Sequence, residues 1–198
     1  MSAFCFKSME YSPSYLFKKN NYEDCHWWHI ERAMLSSFAA AVWLNDGIAL
    51  EEYSEEKKIK TQNKKRKQDR TYTGRCDLYF EIGKQGFACE AKKITCGVGG
   101  KSKKSNTIDL VKRGLKEACN DARDLLDDSG RRLGMCFVVP RLPKAQIKNK
   151  DKPIIEFQEI IKEKIDYSSI AMVFPQKTED LNTERYHYPG VVLLIKEV

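Results

Sequence analysis

The sequence predicts an α/β protein in which a central mixed β-sheet is flanked by helices on both faces. Three observations predict it. Residues 24–45 and 107–128 carry apolar positions at helical spacing. Residues 75–82 and 87–94 alternate apolar and polar positions and are joined by a glycine-bearing link, the pattern of a hairpin. Residues 133–139, 170–174 and 191–196 are short apolar runs, the first two stopped by proline, as buried strands are. The expected order is helix, hairpin, helix, strand, helix, strand, strand, without an internal repeat. At 198 residues the chain is read as one domain spanning 1–198, long enough to bury a substantial core.

Taken in order, residues 1–22 are aromatic and polar, with Ser12-Pro13-Ser14 as a turn signal, and suit an irregular arm or short helix. The first helix is expected to begin near Asp24, a candidate N-cap, and to end at Asn45-Asp46-Gly47. At about 100° per residue, Trp27, Met34, Leu35, Phe38 and Val42 share one side. Glu31 falls in the middle of that stripe. A carboxylate is costly to bury there unless it is paired or lies beside a metal; it can also reach solvent at the stripe's edge or pair with a lysine. Cys25 and His29 stand four apart, but no complementary pair of zinc ligands is visible elsewhere, so Trp27 is read as core and His29 as solvent-facing.

Hydrophobicity drops abruptly in residues 51–70, where acids are followed by a basic run that includes Lys64, Lys65, Arg66 and Lys67. Such a block suits a mobile loop or a solvated helix end. It also suits a nucleic-acid backbone, to which it would add salt-dependent, sequence-independent affinity. A strand in 48–53 is only weakly signalled.

In the hairpin, Cys76, Leu78, Phe80 and Ile82 alternate with Arg75, Asp77, Tyr79 and Glu81. The link Gly83-Lys84-Gln85-Gly86 provides glycines for positive backbone angles. Beyond it, Phe87, Cys89 and Ala91 alternate with Ala88, Glu90 and Lys92. Residues 95–106 form a Gly/Lys/Ser loop carrying Lys101, Lys103 and Lys104, without a Walker pattern. It is either a phosphate-contacting loop or a plain connection. The second helix, 107–128, has the stripe Ile108, Val111, Leu115, Ala118, Ala122 and Leu125. A strand at 133–139 is expected to end at Pro140, and a helix at 153–164 begins with Pro153 at a permitted first-turn position.

The net charge of +7 favours a polyanionic partner. Seven cysteines, an odd number without a CxxC pair, fit a reducing, cytoplasmic setting, or a nucleus if the host has one. Lys7 and Glu10 interrupt any signal-peptide core, and the apolar run 191–195 is far too short to cross a bilayer, so no membrane partner is expected.

Two carboxylates and an ammonium on neighbouring strands suit Mg2+, which takes oxygen ligands and keeps several waters. An ammonium beside the ion can orient or deprotonate a water and oppose charge building on a phosphate. A surface hairpin with ordinary charges on its wet face is the plainer alternative. The stretch Gly74-Arg75-Cys76-Asp77 followed by Glu90-Ala91-Lys92 resembles the PD-(D/E)XK nuclease superfamily, with Cys76 where the family name has proline. The resemblance implies a restriction-endonuclease-like fold and a Mg2+-dependent endonuclease that hydrolyses phosphodiester bonds of DNA, with Mn2+ as a substitute metal. Carried over, Asp77 and Glu90 become metal ligands, Ala91 offers its carbonyl, and Lys92 is the catalytic lysine. Glu31 matches the acidic residue that the family's first helix often adds to the metal site. The basic residues 64–67, with Lys101, Lys103 and Lys104, would hold the backbone, and polar residues of the second helix, Lys112 or Lys116, would assist.

A binding or assembly module of the same fold without catalysis is the alternative reading, and an unrelated basic α/β domain is a third. RNA in place of DNA stays open. A homodimer would suit an enzyme that cuts both strands.

Overall fold

A computed structural model describes residues 26–58, 71–99, 104–126, 130–175 and 183–198. Its elements are α1 (Glu31–Trp43), β1 (Ile48–Lys58), β2 (Thr71–Ile82), β3 (Gln85–Gly97), α2 (Lys104–Asp124), β4 (Gly130–Pro143), α3 (Asp151–Lys164), β5 (Ser169–Val173), β6 (Tyr186–His187) and β7 (Val191–Glu197). The protein is mixed α/β, built on a seven-stranded mixed sheet. Strand order is β1-β2-β3-β4-β7-β5, with the two-residue β6 paired to the end of β4. Every neighbouring pair is antiparallel except β3 and β4, which run parallel across the α2 crossover.

Helices lie on both faces, as expected, and each face has its own core. Against α1 the sheet buries Leu78, Phe80, Phe87, Leu133, Phe137 and Leu193. Phe80 is central there: its ring meets Phe38 edge-on at 5.3 Å and stacks on Phe87 at 4.8 Å. On the opposite face α2 and α3 bring Val111, Leu115, Phe157 and Ile161 onto Val138 and Leu194. The five described cysteines, Cys76, Cys89, Cys96, Cys119 and Cys136, are free and buried in these layers, where a thiol acts as a small hydrophobe. No described helix is long and apolar enough to cross a membrane.

Several boundaries differ from the sequence reading. The first helix starts at Glu31, not near residue 24, and a 3₁₀ turn at His26–Trp28 precedes it. The ammonium of Lys93 on β3 takes the carbonyls of Trp28 and His29, which a continuing helix would need as acceptors. The weak strand signal at 48–53 becomes β1, an 11-residue strand that claims 51–58 from the block read as a mobile loop. Pairing with β2 from Ile48 to Lys58, interrupted at Glu52, supplies what the polar composition does not. The rest of that block lies outside the described residues, as does the 1–22 arm.

β3 continues to Gly97 and α2 begins at Lys104, so both take residues from the expected 95–106 loop. The helix ends at Asp124 because the chain turns to meet β1: Leu126 N–H donates to the Glu56 carbonyl, and Leu125 bridges Lys57. β4 runs through Pro140 to Pro143. That proline falls after pairing with β7 has ended at Val138 and before pairing with β6 begins at Leu142, where a missing N–H is tolerated. At the β2–β3 turn only Gly83 needs a positive φ, +67°. Gly86 serves close approach instead: a Cβ there would stand 2.6 Å from the Tyr79 hydroxyl.

Candidate active site

The candidate site lies where the sheet forks. β2 and β3 pair from Ile82–Gln85 to Leu78–Cys89 and then separate. Beyond that point β2 continues beside β1 as far as Thr71, and β3 continues beside β4 as far as Gly97. Asp77 and Glu90 are the first residues past the last paired rung. The ladder ends because a side chain replaces it: Asp77 Oδ2 accepts the N–H of Ala91 at 2.8 Å. An aspartate therefore takes a backbone donor that the departing strand would otherwise leave unmatched.

The fork gathers charges from five elements. Lys57 on β1 donates to Glu90 Oε1 at 2.7 Å, and both side chains are nearly buried, 12% and 5% exposed. Lys92 Nζ pairs with Asp121 on α2 at 2.9 Å, in a half-open position. Glu31, the first residue of α1, takes the backbone N–H of Lys93. The two carbonyl bonds made by the Lys93 ammonium hold the approach to α1 against β3 and so fix where Glu31 sits. The charge of Asp77 acts on Glu31, Lys57, Glu90 and Lys92 alike, which makes it the common neighbour of the group.

Burial pushes the Glu90 carboxyl up to about 7, and Asp77 pushes it the same way against the pull of Lys57. Burial also raises Glu31, with Asp77 adding to it and Lys92 opposing. Burial works against the ammonium of Lys57, but its bond to Glu90 outweighs that and holds its pKa above the ordinary lysine value. Lys92 behaves likewise through Asp121. The fork thus holds two firmly charged ammoniums, and two carboxyls that give up protons reluctantly.

Asp77, Glu90 and Lys92 are brought together, and Glu31 lies beside them. Among the described residues, however, no three His, Cys, Asp or Glu side chains form a group able to hold a metal ion, so Glu31 does not complete a three-carboxylate cage. Lys64, Lys65, Arg66, Lys67, Lys101 and Lys103 lie outside the described residues. Lys104 is the first residue of α2, not part of a loop. Lys112 and Lys116 do not assist the fork. They line a cleft with Lys164 and Lys196 on the flank of α2 opposite Asp121.

Sequence reasoning missed Lys57 and Asp121. Lys57 was hidden in a charged block whose strand character depends on β2, and nothing in the spacing of α2 singles out Asp121. Comparison with family models, with curated proteins and with solved structures returned no match.

Proposed function

We propose that the fork is the active site of a Mg2+-dependent endonuclease acting on DNA, within a restriction-endonuclease-like fold. The observation that carries the reading is the convergence on Asp77 of Glu90, Lys92 and Glu31, the residues that the PD-(D/E)XK resemblance singles out. The element order supports it too. It runs through a helix, a three-stranded meander, a crossover helix and a strand parallel to the third.

The donors fit a Mg2+ site of the sparse kind, with two carboxylates completed by water and substrate phosphate, and not a preformed cage. The Lys57 ammonium already sits on Glu90 as a cation would. Asp77, Glu90 and the Ala91 carbonyl would hold the ion, with Glu31 acting through a bound water. When bound, the metal would polarise the phosphate and lower the pKa of a water.

The chain's own residues do the rest. Lys92 stays protonated, so it donates hydrogen bonds to the attacking water and to the developing phosphorane charge; it is not the base. Glu31, with its raised pKa and its place beside Lys92, is suited to accept the proton that the water loses. Oxygen attacks phosphorus, the bond to the departing alcohol oxygen breaks, and solvent protonates that oxygen. The ion pair to Asp121 aims Lys92 along this path.

The test is supercoiled plasmid with Mg2+, for the parent and for Asp77→Ala and Lys92→Ala. Nicking by the parent that falls about 100-fold or more in both variants is the expected result; equal nicking, or none from the parent, removes the assignment. One observation favours a second reading, a binding module of the same fold: Lys57 occupies Glu90, and among the described residues no third carboxylate completes a metal-holding group. Binding without cutting would establish that one.

A further inference from the structure

The cleft on the far flank of α2 is a concentration of positive charge. Its volume is about 300 Å3, and Lys112, Lys116, Arg123, Lys164 and Lys196 surround it. Its floor is apolar, formed by Leu115, Cys119 and Ile165. Asp166 is the one acidic residue in its lining, and it is engaged with Lys196. Neither Lys112 nor Lys116 pairs with a carboxylate among the described residues, and the charged end of Arg123 reaches only the Asn120 side-chain oxygen.

Like charges one turn apart on a helix repel and cost stability when nothing answers them. Lys112 and Lys116 are such a pair, and Arg123 continues the line along the same helix flank. From Lys112 to Arg123 the cations extend over roughly 16 Å. A single small anion would leave part of that line unneutralised. A chain of phosphates would not.

We infer that this cleft binds the phosphodiester backbone of a nucleic acid, separately from the fork. The floor of Leu115, Cys119 and Ile165 gives the sugar edge of the strand an apolar seat, while Lys164 and Lys196 close the opposite wall. Contacts of this kind carry no sequence information and depend on salt through counterion release.

Fluorescence anisotropy of a labelled 30-base-pair duplex with the full chain in EDTA, over a salt series, tests it. Lys112→Gln/Lys116→Gln and Lys112→Glu/Lys116→Glu should fold as the parent does, since both side chains are exposed. The neutral double variant should bind about tenfold more weakly and lower the magnitude of the salt slope by about two. Lys84→Gln, at an exposed lysine of the β2–β3 turn outside both sites, should bind as the parent does, and EDTA keeps this result separate from the plasmid assay. Methyl NMR adds a second readout: resonances of Leu115 and Ile165 should shift when the duplex is added. An unchanged salt slope in both double variants overturns the inference. So do methyl shifts that appear with pyrophosphate but not with DNA, since they would mark a pocket for small phosphorylated ligands.

Discussion

The β2–β3 pair has a closed half and an open half. At the Leu78–Cys89 and Phe80–Phe87 rungs opposite residues are apolar on the α1 side, and Phe80 stacks on Phe87. Past Leu78 the alternation along the chain continues, but the rungs stop and the side chains become Asp77, Glu90 and Lys92. The contrast teaches that alternation makes a strand but does not decide whether it pairs. Where cross-strand neighbours are apolar, burial and the backbone ladder act together. Where they are two carboxylates, repulsion between directly opposite charges opposes the ladder. Asp77 settles the conflict by taking the Ala91 N–H itself.

The comparison can be broken most forcefully in the closed half. Phe80→Ala should cost about 3–5 kcal/mol by urea denaturation, because its ring is the contact shared by Phe38 and Phe87. A loss below about 1 kcal/mol would mean that the closed half is not where the pair is held.

In the open half, Lys57→Met should cost about 1–3 kcal/mol at pH 8, where Glu90 is left as a buried unpaired charge. The loss should shrink at pH 6, because Glu90 can take a proton. An equal loss at both values would show that Lys57 acts through packing alone.

The pH dependence has a definite sign. Glu90 titrates at about 7 in the folded chain, against an ordinary value of 4.5. Between those values the folded state holds the proton more tightly, so the stability that this carboxyl contributes is present below 4.5 and is lost as pH rises through about 7. Glu90→Gln should flatten that part of the stability profile. An unchanged slope would place the burial of this group in doubt. The smallest effect is expected at Asp121→Asn: its pair with Lys92 is partly exposed, so stability should move by less than about 1 kcal/mol, whereas under the proposed function plasmid nicking should slow as Lys92 loses its partner.

Much of this was legible in the chain. Phe38, Val42, Phe80, Val111 and Phe137 are buried as their periodicity demands, because burial follows local pattern wherever an element has one wet and one dry side. Asp77, Glu90 and Lys92 were legible as a set because they sit on adjacent strands joined by a short turn. Elements defined by remote partners were not legible. β1 reads as a charged loop until β2 lies beside it. The start of α1 depends on Lys93, more than sixty residues away. Lys57 reaches Glu90 only because the β1–β2 ribbon follows one branch of the fork. No window along the chain contains these long-range contacts.

β1 ends the sheet on one side, and apart from the Lys57–Leu125 bridge and the Leu126 N–H on the Glu56 carbonyl no described segment pairs with its outer edge. Such a row of backbone groups invites accretion by another chain, and here it carries Glu51, Glu52, Glu55, Glu56, Lys57 and Lys58 within eight positions. Two copies laid border to border in parallel register along this strand would set each glutamate beside its own copy. Any self-association should therefore use another surface, leaving β1 a fringe that resists amyloid-like growth.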